Sequence, residues 1–276
     1  MTIVAVGKSS FLAREAAENP NSRAWLFLSH EEALAQPGWL DDASAVINFS
    51  FPNRFKTDLY DAQYDIDSML ASKIQARPVH YIMLSSRMVY GQEGENFGLT
   101  ESQPPKPSNF YGRSKLEVER RLESILGPSR LTVLRLSNIF GLELGRDSFF
   151  GRMMESLARN RKIIFDMGPG TRRDFFPAHW LSETLTQIVA RPVAGVFNIG
   201  AGFASRCGDL ASWLIEGYGA GRLEITNPAI RDQFSLDVSK AHKTWNLREF
   251  SPNILRDIVV AFGKELGRAG SEEGRI

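Results

Sequence analysis

Short apolar runs alternate with helical stretches through the first half of the chain. The runs are TIVAV, AWLFL, AVINF, HYIML and LTVLRL. Most are rich in β-branched or aromatic residues, and all are continuously apolar, the mark of strands buried on both faces. Between them, SSFLAREAAEN, EEALAQ, TDLYDAQYDIDSMLASKIQA and YGRSKLEVERRLESIL predict helices. Alternation of this kind predicts crossover units, hence an α/β protein whose parallel sheet carries helices on both faces.

The pattern changes after Gly141. GRMMESLARN predicts a helix, KIIFDM a short strand, GPGTRRDFFP a loop, HWLSETLTQIVA a helix and VFNIG another buried strand. GDLASWLIEGYG, LEITN and SPNILRDIVVAFGKELGRA follow without a regular repeat. A second, smaller domain woven from the later segments is expected, and the polar tail GSEEGRI is expected to be mobile.

Composition narrows the function classes. The 276 residues are 43% hydrophobic and 24% charged, ordinary for a globular protein with a full core. A net charge of +1 gives no basic surface of the kind that nucleic acids or membranes attract. No apolar run approaches the length of a membrane span, and MTIVAVG lacks the basic region and cleavage site of a signal peptide. The lone Cys207 excludes an internal disulfide and fits a reducing compartment; otherwise it reads as a small buried residue. A soluble, cytoplasmic protein is expected. His30, His80, His179 and His242 are scattered without the paired spacing of zinc ligands, so no metal site is expected.

Three stretches carry candidate chemistry. In YGRSK, Tyr111 and Lys115 lie one helical turn apart and project from one face. A free phenol has a pKa of about 10, and a nearby ammonium lowers it, so such a pair can tune a proton donor. Tyr and Lys also fall four apart on amphipathic helices by chance. In HYIMLSSRMVYG a strand expected to end at Leu84 places Ser85 and Ser86 at its carboxyl end, the edge where open α/β sheets bind ligands. Either serine could instead merely cap the departing chain, a reading that fits Ser85 better than Ser86. GKSSFLA, residues 7–13, follows the first strand and opens a helix where a dinucleotide-binding turn would run G-x-x-G-x-x-G; only Gly7 is glycine.

Strand-SSxxVYG, YGxSK, LRLSNIFG, GPGTRRDFF and VFNIG, in that order from about residue 3 to about residue 245, resemble the extended short-chain dehydrogenase/reductase family, in its sugar-nucleotide epimerase, dehydratase and reductase branch. The resemblance implies a Rossmann-type doubly wound sheet with a smaller C-terminal α/β substrate-binding domain. The dinucleotide-binding part would span 1–140 plus about 178–200, and the substrate part about 141–177 plus 201–276. Ser86, Tyr111 and Lys115 match the catalytic trio: Tyr111 the acid/base, Lys115 its tuner and ribose anchor, Ser86 the partner of the substrate oxygen. By the same matching, Gly7, Lys8, Ser10, Phe11, Leu12, Ser29, Phe49, Ser50, Phe51 and Leu84 join Tyr111 and Lys115 around the cofactor. Asn138 and Arg173 join Ser86 at the sugar nucleotide, Arg173 gripping its diphosphate. Read without the family, Arg172 and Arg173 are a solvated pair, and Asn198 closes a turn.

The departures matter as much. Ala13 is a mild change, but Ser10 adds a Cβ where backbone should approach pyrophosphate; its hydroxyl is able to donate to a phosphate instead. Beyond AWLFL no acid stands directly at the strand end, the nearest being Glu31 and Glu32. Lys8 and Arg14 are placed to neutralise a 2′-phosphate, which tilts the expected cofactor from NAD towards NADP. Arg87 and Met88 stand where a sugar 4,6-dehydratase has an Asp-Glu pair, and Ala178, His179 and Trp180 replace an acidic V-D-D. The implied activity is a 4-keto-sugar reductase on a nucleotide-linked sugar; the alternatives are a nucleotide-sugar 4-epimerase and a non-catalytic dinucleotide-binding relative. The family often pairs through two helices, here DLYDAQYDIDSMLASKIQ and YGRSKLEVERRLESIL, so a homodimer is expected.

Overall fold

A computed structural model describes residues 2–35, 37–92 and 95–273 of the chain. Its first half runs β1 (Thr2–Val6), α1 (Phe11–Glu18), β2 (Leu26–Leu28), α2 (His30–Ala35), β3 (Ala43–Asn48), α3 (Ile66–Ile74) and β4 (His80–Ser86). There follow β5 (Glu95–Leu99), α4 (Phe110–Leu126), β6 (Leu131–Leu136), β7 (Asn138–Phe140), α5 (Phe149–Asn160), β8 (Lys162–Phe165), β9 (Arg172–Arg173) and β10 (Phe175–Pro177). The last part comprises α6 (Ala178–Ala190), β11 (Gly195–Ile199), β12 (Ser205–Arg206), α7 (Cys207–Tyr218), β13 (Arg222–Ile225), β14 (Gln233–Leu236), α8 (Ser239–Trp245) and α9 (Pro252–Glu273).

Six strands form one sheet in the order β11-β6-β4-β3-β1-β2, and every neighbouring pair is parallel. This is the Rossmann-type α/β sheet. Alternate residues feed opposite faces, as the pleat requires. Ala5, Ala45 and Ile47 join one apolar cluster with α1, α6 and α8; Val4, Val6 and Val46 join the other with α2, α3 and α4. From β1 the chain goes first to β2 on one side and then to β3 on the other. The topological switch point therefore lies between β1 and β3, where a crevice opens beyond the strands' carboxyl ends.

A third cluster, built on Phe150, Met154, Phe175, Leu210, Leu214 and Leu255, unites α5, α7 and α9 with β8 and β10. A fourth joins Val89, Tyr90 and Leu99 to Phe234 and Leu236, across the parallel pair β5–β14. So Glu95–Leu99, which the sequence reading places in the first domain, pair with a strand from near the end of the chain.

Local capping explains where the expected boundaries move. The helix expected over TDLYDAQYDIDSMLASKIQA is confined to α3: the Asp61 carboxylate accepts from Gln63 N (3.1 Å) and Asp65 from Ser68 N (3.1 Å), so each aspartate starts a new turn. β4 runs on to Ser86 because Ser85 and Ser86 pair with Arg135 and Leu136. The loop over GPGTRRDFFP contributes the short strands β9 and β10. Of the expected tail, Gly270–Glu273 continue α9, and 274–276 lie outside the described residues. The apolar faces of α3 and α4 pack on their own sheet, so any pairing of two chains there would use the charged outer face with Arg113, Arg120 and Glu123. Among the described residues no helix is long and apolar enough to cross a membrane.

Candidate active site

The turn after β1 is held by two backbone bonds, Gly7 N and Lys8 N donating to Leu28 O at 2.7 and 3.0 Å. Gly7 has φ +94, and a Cβ there would lie 2.4 Å from Ser50 Oγ and 2.8 Å from Ser50 N. Only glycine lets the end of β3 come this close. Ser10 is the N-cap of α1, its Oγ accepting from Ala13 N at 3.3 Å. The expectation was a donor to phosphate; the oxygen is instead engaged as an acceptor within the helix, which leaves the hydroxyl proton. Phe11 and Leu12 follow on the cleft wall, and Ala13 is wholly buried.

The cleft, about 890 Å³, runs from this turn past Phe49, Ser50 and Phe51 to Leu84, Tyr111 and Lys115. β4 delivers Leu84 and Ser86; the first turn of α4 delivers Tyr111 and Lys115. They meet because Gly112 has no side chain: a Cβ there would lie 2.4 Å from Met88 O. Asn109 caps α4 through Gly112 N (2.8 Å), fixing the same turn. Ser86 Oγ accepts from Met88 N (3.2 Å), so it caps the departing chain; its hydroxyl also acts on the ionisation of the Tyr111 phenol, although Ser86 does not itself line the cleft. Ser85 points away, its hydroxyl donating to Glu119, which is paired with Arg135 at 2.7 Å. Lys115 Nζ donates to Leu84 O (2.6 Å) and lies 3.8 Å from the centroid of the Phe51 ring. Phe51 meets Tyr111 edge-on at 5.3 Å.

The charges are arranged differently from the expected Tyr–Lys couple. Burial raises the Tyr111 pKa above its ordinary value, opposed by the Ser86 hydrogen bond and the positive charge of Arg146. Burial also brings Lys115 down to about 8, against the pull of Asp67, Glu119 and Asp65. Asp67 is buried on α3, accepts from Tyr81 Oη at 2.8 Å, and is raised to about 6 by desolvation. Lys115 thus answers to carboxylates behind it, while the cation that acts on Tyr111 is Arg146. Neither Asp67 nor Arg146 figured in the sequence reading. Gly112, in a helix's first turn, was the visible signal of close packing; Arg146 sits in a loop and gave none.

Lys8 and Arg14, the cations expected at a 2′-phosphate, both hold carboxylates. Lys8 Nζ lies 2.6 Å from Glu32 Oε1, and Arg14 is ion-paired with Glu143. Ser29 N donates to Glu32 Oε2 (2.7 Å) and Glu32 N to Ser29 Oγ (3.1 Å), a reciprocal capping box that starts α2. The cleft fits a nicotinamide dinucleotide. It crosses the switch point, begins at a glycine turn and helix start, ends at a phenol and ammonium, and has a buried guanidinium nitrogen, Arg146 Nη1, without an acceptor.

A family model described as the NAD dependent epimerase/dehydratase family matches residues 13–200. The chain belongs to that family. Solved structures share the fold. UDP-glucuronic acid 4-epimerase from Bacillus cereus, in complex with UDP-glucuronic acid and NAD, has TM-score 0.78 and 17% identity over 98% of this chain and 100% of that one. TunA, an NAD dependent NDP-hexosamine 5,6-dehydratase involved in tunicamycin biosynthesis, has TM-score 0.78 and 19% identity over 97% and 98%. RMD from Pseudomonas aeruginosa, complexed with NADPH, has TM-score 0.79 and 19% identity over 97% and 98%. The family is one of extended short-chain dehydrogenase/reductase enzymes, and a nicotinamide dinucleotide is its cofactor.

On the substrate side this epimerase/dehydratase member is less open than its sequence suggests. Asn138 lies on β7 with its N donating to Asp174 O (3.2 Å), and Arg173 donates from Nε to Asp232 O (3.1 Å). Neither lines the cleft that holds Tyr111. Arg87 is buried, ion-paired with Asp232, and stacked 3.9 Å from the Phe234 centroid. Asn198 is structural: it accepts from Tyr90 Oη (2.8 Å) and donates to Leu99 O (2.8 Å). His179 is exposed on α6, away from the cleft. Cys207 is buried, its thiol pushed up to about 12. Among the described residues no three His, Cys, Asp or Glu side chains gather as a metal site.

Proposed function

We propose that this protein is a cytoplasmic NAD(P)-dependent oxidoreductase of a nucleotide-linked sugar, acting as a 4-keto-sugar reductase. The observation that carries the reading is Tyr111 in a cleft at the switch point, with Lys115 one turn away on α4 and Ser86 beside them at the end of β4. A bound nicotinamide dinucleotide supplies hydride transfer. Tyr111, whose raised pKa keeps it protonated at neutral pH, gives its proton to the sugar oxygen as carbonyl becomes alcohol. Ser86 hydrogen-bonds the same oxygen. Lys115 is the candidate for the ribose hydroxyls, and α5, α7 and α9 with residues 201–276 form the candidate sugar-nucleotide body. Contact of Arg173 with the diphosphate requires it to leave the Asp232 carbonyl. NADP is favoured through Lys8, on condition that Lys8 leaves Glu32.

The second reading is a 4-epimerase, supported by the likeness to UDP-glucuronic acid 4-epimerase. It returns the hydride to its substrate and ends the cycle with oxidised cofactor. Native mass spectrometry with NAD and NADP in turn reports which is retained; a nucleotide-linked 4-keto-sugar supplied with reduced cofactor reads net cofactor oxidation, and UDP-glucose and UDP-glucuronic acid read sugar interconversion without it. Tyr111→Phe is expected to cut turnover by about 10²–10⁴ while cofactor binding persists. Unchanged turnover in that variant removes the catalytic assignment. Retention of cofactor by a wild-type protein with no turnover on any sugar nucleotide favours the non-catalytic reading.

A further inference from the structure

The altered turn leaves a shortfall at the dinucleotide's diphosphate. Ser10 carries a Cβ and an oxygen already used to cap α1, so backbone approach there is reduced. The opposite wall of the cleft carries the compensating charge. Arg146 belongs to the loop 141–148 between β7 and α5, and its guanidinium reaches across to lie 4.1 Å from the centroid of Phe11, the first residue of α1. Among the described residues its buried Nη1 has no hydrogen-bond acceptor; the ion-paired Glu143 carboxylate stands 3.9 Å off, beyond hydrogen-bond distance. Glu143 is itself committed to Arg14 on α1. Glu15, beside the same group, has its pKa raised by burial and by the Glu18 and Glu143 carboxylates, which weakens its claim on either arginine.

We propose that Arg146 is a cofactor-binding residue, its guanidinium engaging the diphosphate of the dinucleotide from the wall that faces α1. The inference rests on the cofactor reading above and adds a residue that neither the turn nor the catalytic trio contains. The side chain is partly exposed, but a buried N–H without an acceptor is unfavourable until an anion supplies one, and the planar guanidinium suits two phosphate oxygens at once. Arg146 and Tyr111 line the same cleft, and the charge of Arg146 acts on the phenol, so the guanidinium stands on the Tyr111 side of the turn.

The test is calorimetric titration of the full chain and of Arg146→Ala and Arg146→Lys with NAD, ADP-ribose and AMP. ADP-ribose carries the diphosphate without the nicotinamide; AMP carries one phosphate only. Expected is a rise in Kd of about tenfold or more for NAD and ADP-ribose in Arg146→Ala, a smaller rise in Arg146→Lys, and AMP changed less than about twofold. Equal weakening of all three ligands overturns the proposal, because Arg146 then holds the shape of the cleft. An unchanged Kd for ADP-ribose overturns it as well. Failure of the unaltered protein to bind any of the three overturns instead the cofactor reading beneath it. Thermal unfolding of each variant without ligand shows that the fold is retained.

Discussion

The ammonium of Lys115 lies 3.8 Å from the centre of the Phe51 ring, and the edge of the Tyr111 phenol meets the same ring. One aromatic side chain from the end of β3 therefore orients both polar groups that α4 delivers. Its face replaces part of the hydration that Lys115 loses on burial, since a ring's negative face favours the charged amine. Phe51→Leu keeps apolar bulk and removes that face. Its expected effects are a Lys115 pKa further below about 8 and a loss of stability of about 1 kcal/mol. A pH–rate profile and urea unfolding read the two effects separately, and an unmoved basic limb of the profile contradicts the first.

Asp67 gives a pH dependence of known sign. Burial raises its folded pKa to about 6, above the ordinary carboxylate value. A raised acid favours the folded state most fully below the unfolded pKa, and that contribution is lost as pH rises through the folded one. Asp67→Asn lacks this loss. The variant is therefore expected to gain on the wild type by about 2–3 kcal/mol between pH 4 and pH 7. Urea unfolding of both proteins across that range measures the difference; a constant gap means that Asp67 does not titrate there.

Gly7 combines a left-handed backbone with a steric limit, because a Cβ would press on Ser50 Oγ at 2.4 Å and on Ser50 N at 2.8 Å. Gly7→Ala is expected to lower stability by about 1–3 kcal/mol and to weaken dinucleotide binding, since β1 and β3 must separate at the switch point. Thermal unfolding with and without NADP tests this. Equal melting points and equal ligand shifts for variant and wild type contradict it.

On the proposed reading that Lys8 meets a 2′-phosphate, Glu32 competes with that phosphate for the ammonium. Glu32 holds the ammonium and at the same time caps α2 through Ser29. Glu32→Gln keeps the cap's shape and frees the charge, so the affinity for NADP is expected to rise several-fold relative to NAD. Competitive titration gives the ratio directly. A fall in that ratio shows that Glu32, not Lys8, sets the preference.

Much of this arrangement was legible in the chain because its causes are local or periodic. The apolar runs became the six parallel strands, and YGRSK became the first turn of α4 beside the end of β4. What escaped depends on partners distant in sequence. Arg14 and Glu143, or Arg87 and Asp232, face each other only after folding. Arg173 sits within its expected motif, yet its guanidinium is spent on the carbonyl of Asp232, which no spacing reveals. The helix expected over residues 57–76 is shorter in the structure because aspartates at 61 and 65 look merely polar in a periodic pattern, whereas their carboxylates cap the backbone.

The pair Arg87–Asp232 ties the residue after Ser86 to a loop of the C-terminal part. Arg87 Nη1 lies 2.8 Å from Asp232 Oδ1, and Asp232 has φ 48, a conformation that aspartate and asparagine tolerate better than most residues. Because Arg87 is almost wholly buried, removing its partner strands a charge. Asp232→Ala is expected to cost about 3–5 kcal/mol. Replacing both members, as Arg87→Met with Asp232→Ala, is expected to recover much of that, since Met fills the space on Phe234 without a charge. A double-mutant cycle by urea unfolding separates the coupling from the single effects. Additive losses would show that the two side chains act independently and that the tie between Ser86 and this loop lies elsewhere. Strong coupling, with Ser86 and Tyr111 left intact in sequence, further implies that Asp232→Ala slows turnover through the displacement of the turn that begins at Ser86.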